Sequence, residues 1–162
     1  MKKIVVGCCL LSIMGFGQTE TKTGTTSPQP AFLAAKDLKL TINYFNEESV
    51  PVKKNSPCAE RFAFDTMALY SKNMIFYTDL DSVAIMKLNY QLIFFKAMHI
   101  DRVGKQLTAI FSGQGYQVKF TSKEVRKVRA DYSIRSGIIE ISKNGQRKTW
   151  YVMGNQRCVS LL

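Results

Sequence analysis

The chain has few of the residues that most often carry catalysis or bind metals. Its 162 residues include a single histidine, His99, whereas a catalytic zinc site typically needs three protein ligands. It has no Cys-x-x-Cys pair, no G-x-G-x-x-G loop, no P-loop and no G-x-S-x-G nucleophile elbow. These absences argue against an enzyme, and we expect no metal, no cofactor and no catalytic residue.

The one enzymatic alternative depends on that histidine. If His99 and Asp101 lie on a strand, their side chains share a face about 7 Å apart, where a carboxylate can orient an imidazole. The alternative function is accordingly a small secreted or periplasmic hydrolase that uses His99 and Asp101. The simpler interpretation is an imidazole that bonds to a neighbour in a sheet.

A long uninterrupted apolar run is also missing. The N-terminal stretch from Ile4 to Met14 is almost wholly apolar, but it is well short of the roughly 20 residues needed to cross a bilayer as a helix. It follows Lys2 and Lys3 and precedes the triplet Gly15-Phe16-Gly17, which is the layout of a cleaved secretory signal peptide. We therefore predict export to the periplasm or out of the cell, with no transmembrane segment in the mature chain.

Composition divides the chain into three parts. Residues 1–17 are the predicted signal peptide, residues 18–31 form a flexible, Thr-rich leader, and residues 32–162 are long enough for a single β-rich domain with its own core. An alternative interpretation treats Val5-Val6-Gly7-Cys8 as a lipobox, in which a lipid on Cys8 would tether the protein to a membrane. Too few apolar residues separate Lys3 from Cys8 for this to be the preferred interpretation.

Cysteine is scarce as well, with four residues in total, two of which fall within the predicted signal peptide. In an oxidising compartment the remaining two, Cys58 and Cys158, are expected to close into a disulfide. Because this bond would join positions about one hundred residues apart, it would restrict the unfolded chain by up to about 4.7 kcal/mol. Its predicted role is mechanical, since the spacing is not that of a redox-active pair.

Short alternations of apolar and polar residues dominate the chain after residue 32, and this period of two is typical of half-buried strands. Predicted strands cover residues 37–45, 62–70, 74–78, 85–100, 138–143 and 146–152. Predicted turns contain glycine and lie at 104–105, 112–115 and 144–145. The Asn144-Gly145 pair is the strongest of these signals, because two-residue hairpin turns favour that dipeptide.

Two stretches favour a helix. The capping-box pattern Thr121-Ser122-Lys123-Glu124 predicts one short helix near residues 122–130. Ser56-Pro57 is a second helix start, which would lead into the aromatic segment as an alternative to the strand over 62–70. The predicted fold class is mainly β, with α+β as the alternative, in the form of a single antiparallel β-sandwich or a partly closed barrel.

Acidic residues are in the minority, and the imbalance is uneven. The net charge is +11 at pH 7, and residues 119–162 hold ten basic against three acidic side chains. Such a surplus attracts anions within roughly a Debye length, about 8 Å in physiological salt. Tyr132, Trp150 and Tyr151 lie among the basic residues, as in a surface on which ligands stack. The candidate anion-binding residues are Lys123, Arg126, Lys127, Arg129, Arg135, Arg147 and Lys148.

The preferred function is an exported, non-catalytic binding module that engages an anionic partner through its basic C-terminal region. Candidate partners are an anionic polymer, membrane head groups and an acidic protein, whereas cytoplasmic nucleic acid is out of reach of an exported protein. A further alternative is a barrel that binds an apolar ligand. Its interior would be lined by five aromatic residues, Phe62, Phe64, Tyr90, Phe94 and Phe111.

Overall fold

The structure, a computed structural model, describes residues 38–49 and 56–159. The predicted signal peptide, the leader and Cys8 lie outside these residues. Within them the chain forms eleven strands, a five-residue helix α1 (Thr66–Tyr70) and a short 3-10 helix (Glu47–Ser49). The strands are β1 (Ile42–Asn43), β2 (Phe45–Asn46), β3 (Cys58–Ala63), β4 (Asn73–Met74), β5 (Phe76–Thr78), β6 (Val83–Leu88), β7 (Gln91–Val103), β8 (Gln106–Gly113), β9 (Tyr116–Arg129), β10 (Tyr132–Lys143) and β11 (Gln146–Cys158).

Eight of these strands close into an antiparallel barrel. The order around it is β6, β5, β3, β11, β10, β9, β8 and β7, and β7 pairs with β6 to complete the circle. The strand β1 pairs with the end of β6, while β2 and β4 form a separate two-stranded ribbon. The prediction of a mainly β fold is confirmed, and the predicted sandwich or partly closed barrel is roughly compatible with the closed barrel that these strands form.

The middle of the barrel is filled by side chains. An eight-stranded barrel has an interior just wide enough for side chains to fill, and alternate residues of each strand face it. Phe120 contacts Phe62 and Phe76, with ring centroids 4.9 Å and 4.5 Å apart. These rings and those of Phe95 and Phe111 are at most 1% exposed, so this level of the barrel is a packed apolar core.

The turns predicted from glycine are confirmed. Asn144 and Gly145 join β10 to β11, and both have positive φ angles, 51° and 74°, as the favoured two-residue hairpin turn requires. Gly104-Lys105 joins β7 to β8, and Gln114-Gly115 joins β8 to β9. Each connection is a tight hairpin, and neighbours in sequence are therefore neighbours in this part of the barrel.

The helix predicted near residues 122–130 is wrong. Those residues continue β9, which pairs with β8 as far as Lys123 and with β10 as far as Arg129. A capping box is a local signal, and pairing with neighbouring strands outweighs it here. The helix α1 begins instead after Asp65, whose carboxylate accepts a hydrogen bond of 2.8 Å from the Ala68 N–H. No helix in the described ranges has the length and apolar character to cross a membrane.

Neither interpretation of the aromatic segment 62–70 is right in full. Residues 58–63 form β3 instead of the first turns of a helix that begins at Ser56. The chain then bends and enters α1, so that the predicted strand ends at Ala63. Further along, β4 and β5 occupy most of the predicted strand over 74–78. The aromatic segment thus forms the end of a strand and then a helix.

The strand predicted over 85–100 is a hairpin made of β6 and β7. Asn89 and Tyr90 form its turn with φ angles of 48° and 68°. The turn is held by a distant segment, because the Asn89 side chain accepts a hydrogen bond from the Thr41 N–H and the Asn43 side chain accepts one from the Tyr90 N–H. The alternation of residues within 85–100 could not predict this turn, because the contacts that hold it come from outside the segment.

The predicted disulfide is confirmed. Cys58 and Cys158 are directly opposite each other on β3 and β11, and the bond joins positions 100 residues apart. Beside it, the Val159 N–H donates to the Pro57 carbonyl at 2.7 Å. The bond therefore fastens the first strand of the barrel to the last one.

Candidate functional site

The two ends of the barrel differ in their connections. One end, the mouth end, carries the connections 79–82, 104–105 and 130–131. The other, the hairpin end, carries the turns 89–90, 114–115 and 144–145. Below the mouth end, the barrel interior holds buried polar side chains, among them Glu60, Ser122, Ser133 and Arg135.

A buried ion pair lies in this polar part of the interior. Glu60 on β3 is 1% exposed, Arg135 on β10 is 5% exposed, and Arg135 Nε lies 2.8 Å from Glu60 Oε1. The buried Ser122 hydroxyl donates to Glu60 Oε2 at 2.8 Å and accepts from the Arg135 Nε–H at 3.2 Å. Within the described chain, Glu60 Oε1 accepts no hydrogen bond, so the charge of the guanidinium has to offset its burial.

Other N–H groups of Arg135 connect the ion pair to the rim of the barrel. Nη1 donates to Gln156 Oε1 and Nη2 donates to the Lys105 carbonyl, both at 3.0 Å. Gln156 in turn donates from Nε2 to the Cys158 sulfur at 3.4 Å. Arg135 is therefore held in one position by contacts with three strands and a turn.

Burial raises the pKa of the Glu60 carboxyl above its ordinary value. The positive charge of Arg135, the hydrogen bond from Ser122 and the charge of Arg102 lower that pKa, but together by less than burial raises it. The carboxylate thus depends on these partners to remain ionised. If it loses a partner, it takes up a proton more readily.

A cavity of about 410 Å³ opens at the mouth end, and Arg135 forms part of its wall. Four cationic side chains and one acidic side chain are among the described residues that line it. The acid, Glu124, pairs with Lys105 at 3.2 Å. This cavity, named the basic mouth, is lined by Arg102, Gly104, Lys105, Glu124, Lys127, Arg135 and Gln156.

A β-bulge on β9 turns one of these cations into the basic mouth. Glu124 is opposite Arg135 and Lys127 is opposite Ser133, and both partners on β10 are buried in the interior. Regular alternation would put residues three apart on opposite faces of a strand. The bulge between them adds a residue to β9, and Lys127 therefore faces inward.

A second bulge, on β7, does the same for another cation. Ala97 is opposite Phe111, which is buried in the core, so regular alternation would turn a residue five positions further on outward. The register shift after Ala97 reverses the alternation. Arg102 therefore faces inward, opposite the buried Leu107, whereas His99 faces outward.

Two of the seven predicted anion-binding residues line the basic mouth. These are Lys127 and Arg135, and Arg135 is already engaged by Glu60. Sequence reasoning missed Arg102 and Lys105, which lie outside the basic C-terminal region but reach the same cavity. Their placement depends on the β7–β8 hairpin, so the signal for them was the predicted turn at 104–105.

The other five predicted residues lie elsewhere. Lys123, Arg126 and Arg129 are exposed on β9 towards the mouth end, but they do not line the basic mouth. Arg147 and Lys148 are exposed at the hairpin end. They lie roughly 23 Å along β11 from the level of the buried ion pair. The basic C-terminal region is therefore divided between two ends and two faces.

The pair proposed for hydrolysis lies on the outer face. His99 and Asp101 are both exposed on β7, opposite Ile110 and Thr108 of β8. No hydrogen bond joins their side chains in the described chain, and the described residues contain no group of three His, Cys, Asp or Glu side chains placed to hold a metal. Neither residue lines the basic mouth.

The five aromatic residues assigned to an apolar cavity are on different sides of the barrel wall. Phe62 and Phe111 are buried in the core, whereas Tyr90 is 78% exposed and Phe64 and Phe94 are exposed as well. The buried members are in contact with other rings of the packed core. These five residues therefore do not line one cavity.

Aromatic side chains, each with a lysine beside it, close the hairpin end. Lys143 Nζ lies 3.9 Å from the centroid of the Tyr116 ring, and Lys148 Nζ lies 5.5 Å from that of Trp150. Both rings pack against the apolar core. Tyr151 follows Trp150 on β11 and is 80% exposed on the other face, so the predicted stacking residues do not form one surface.

The fold and the site define a class of protein, a small antiparallel β-barrel with a disulfide between its first and last strands and an ion pair buried beneath a basic mouth. No protein family, curated protein or solved structure matches the chain significantly. The function is therefore inferred from the side chains of the barrel itself.

Proposed function

We propose that this protein is an exported, non-catalytic binding module that takes an anionic group in its basic mouth. The observation that carries the proposal is a cavity of about 410 Å³ whose wall includes a buried, fixed arginine and three further cationic side chains. Pockets of a few hundred cubic ångströms suit a small ligand or one group of a larger one. Carboxylate, sulfate and phosphate groups all meet this description.

Charge favours an anion at this position. The four cations of the basic mouth exceed the two nearby acids, Glu124 and Glu60, by two charges. A concave site with low-dielectric walls concentrates such a field. The geometry of Arg135 also favours an anion, since the N–H donors of a guanidinium match the oxygens of carboxylate, sulfate and phosphate groups. Because its position is fixed in advance, binding would cost little side-chain entropy.

Several partners can supply the bound group, namely an anionic polymer, a membrane head group and an acidic protein. Lys123, Arg126 and Arg129 extend the positive surface beyond the cavity and would contact the rest of a larger partner. The disulfide supports an exported setting, since such bonds persist in oxidising compartments. Cytoplasmic nucleic acid is absent from that setting.

The proposal is tested by removing the same charge from each end of the barrel. The mouth variant carries Arg102→Gln, Lys105→Gln and Lys127→Gln. The matched control carries Lys143→Gln, Arg147→Gln and Lys148→Gln at the hairpin end. Both variants lose three positive charges and both keep Arg135 and Glu60. The mouth variant also loses the contact of Lys105 with Glu124, and the control loses the lysine contacts with the Tyr116 and Trp150 rings.

Sulfate binding by calorimetry and retention on a sulfated polysaccharide resin provide the two measurements. The mouth variant is expected to bind sulfate at least about tenfold more weakly at low salt, because cations at contact distance act most strongly there. The control is expected to bind sulfate like the wild type. Equal weakening in both variants would show that sulfate affinity depends on net charge alone and would contradict the proposal. Unchanged binding by the mouth variant would contradict it as well, because the basic mouth would not be the site.

A further inference from the structure

Arg135 has a partner on one side and a cavity on the other. It is paired with Glu60 inside the barrel, and it is also part of the wall of the basic mouth. We propose that Glu60 and a bound anion compete for Arg135, so that protonation of Glu60 switches the basic mouth to tighter anion binding. This inference rests on the proposed function, because it takes the basic mouth to be the anion site.

The contact between Arg135 and Glu60 leaves capacity for a competitor. The Nε–H donates to the Ser122 hydroxyl, and Glu60 Oε1 receives no hydrogen bond from the described chain. Nη1 carries two N–H groups, and Gln156 Oε1 is their one acceptor among the described residues. One N–H of a buried guanidinium that lines the cavity is therefore available to a ligand.

The groups around Glu60 come from every neighbouring strand. Those that face it are Thr78 on β5, Arg102 on β7, Ser122 on β9, Arg135 on β10 and Gln156 on β11. The other charged groups of the rim are Lys105, Glu124 and Lys127. Glu60 and Glu124 are thus the two carboxyls near the ligand, and a control must separate them.

Protonation of Glu60 changes the site in two ways. It raises the combined charge of the basic mouth and the ion pair from +2 to +3, and it frees the guanidinium from a buried carboxylate. Burial raises the pKa of Glu60 above the ordinary value of 4.5, so its carboxylate takes up a proton at a higher pH than an exposed carboxylate does. By linkage, a bound anion raises that pKa further, and anion binding transfers a proton from solvent to the Glu60 carboxylate.

The first experiment follows sulfate binding to the wild-type chain while the pH is lowered from about 8 to about 5, a range in which sulfate keeps its charge and a perturbed carboxyl can titrate. The affinity is expected to rise by at least about tenfold, since the loss of one negative charge roughly 7 Å from a dianion predicts that factor even at an effective dielectric as high as about 70. Calorimetry in two buffers of different ionisation enthalpy is expected to show net proton uptake on binding. Zero uptake with a constant affinity would overturn the inference.

Two variants identify the carboxyl. Glu60→Gln is expected to bind sulfate tightly at both ends of the pH range, with its pH dependence lost. Glu124→Gln removes the other carboxyl of the site and is expected to keep the wild-type dependence on pH. A dependence that persists in Glu60→Gln, or disappears in Glu124→Gln, would overturn the assignment. If Glu60→Gln fails to fold, the proton count of the wild-type chain still tests proton uptake, and Glu124→Gln still tests which carboxyl is responsible.

The two proposals fail in different ways. Sulfate binding that the mouth variant leaves unchanged would remove the proposed function itself. Sulfate binding that is lost in the mouth variant, yet is independent of pH in the wild type, would leave the proposed function intact and remove only the competition between Glu60 and the anion.

Discussion

The two ends of the barrel use their basic residues in different ways. At the hairpin end, Lys143 and Lys148 lie over the rings of Tyr116 and Trp150, and these rings pack against the core. At the mouth end, Arg135 is buried inside the barrel against an acidic partner. The two ends therefore differ in how their cations are held: an open pocket of about 520 Å³ at the hairpin end is lined by exposed side chains such as Arg147, whereas the cavity of about 410 Å³ at the mouth end includes the buried Arg135 in its wall.

This difference teaches that local net charge does not by itself predict where cationic side chains are held in a fixed geometry. A lysine at the surface keeps its head group in water and mainly contributes to long-range attraction. An arginine held below the rim by several hydrogen bonds presents its donors in a fixed geometry. The buried pair also has an energetic cost, because two charges have left water. Three predictions test this contrast between the ends.

The largest effect is expected from Arg135→Met at the mouth end. It leaves Glu60 buried without its cation, which should lower the free energy of unfolding by about 3–5 kcal/mol at neutral pH. Because the pKa of Glu60 is raised, its neutral form suits the folded state, and the deficit should shrink as the pH falls through that pKa. Urea unfolding at neutral and acidic pH measures both effects.

A companion variant that combines Glu60→Gln with Arg135→Met is the control for this prediction. Removing both charges together should be less damaging than removing the arginine alone. If the deficit of Arg135→Met did not change with pH and did not decrease in the double variant, Arg135 would stabilise the fold through packing alone and not through its charge.

An intermediate effect is expected from Trp150→Ala at the hairpin end. The ring is half-buried and packs against the core, so the free energy of unfolding should fall by about 2–3 kcal/mol. The loss comes from apolar contacts and should be the same at neutral and acidic pH. Unfolding curves at both pH values provide the check, and a pH-dependent loss would remove the proposed contrast between the ends.

The smallest effect is expected from Asp79→Asn in the connection 79–82. Burial alone would raise the pKa of Asp79, but hydrogen bonds from the N–H groups of Val83, Ser82 and Asp81 and from the Ser82 hydroxyl outweigh it and lower the pKa. A lowered pKa stabilises the fold above the ordinary value of 3.8, and this contribution disappears as the pH falls through the folded-state pKa.

The substitution should therefore reduce the free energy of unfolding by about 1 kcal/mol at neutral pH, a modest figure because water reaches part of the carboxylate. The difference from the wild type should vanish in acid. Asp81→Asn, two positions along the same connection, is the control and should have little effect on the midpoint of urea unfolding. A loss of equal size in both variants would show that the Asp79 hydrogen bonds are not its cause.

Local sequence patterns predicted the fold best where no tertiary contact competes with the local preference. Asn144-Gly145 adopts the positive φ angles of a hairpin turn, and β10 and β11 follow on either side as predicted. The capping box before residues 122–130 is equally local, but its helix would have to replace the pairing of β9 with its neighbours. The closed sheet is favoured, because its pairings support one another around the whole circle.

The site was only partly predictable, for a geometric reason. Cys58, Glu60 and Phe62 alternate along β3 and therefore face the same side of the sheet. Glu60 could have been assigned to the interior once residues 58–63 were taken as a strand. The inward orientation of Arg102 and Lys127 could not be predicted in this way, because each faces inward only as a result of a bulge. A bulge depends on the neighbouring strands, and its position is not visible in a pattern of alternation.

The sequence by itself determined that the chain is mainly β, that Cys58 and Cys158 pair and that positive charge is in surplus, since these properties follow from composition and short-range pattern. Only the tertiary structure decided that the sheet closes, which cations face inward and that Arg135 meets Glu60. Those features depend on the register between strands far apart in the chain, and register is set by the packing of the whole barrel.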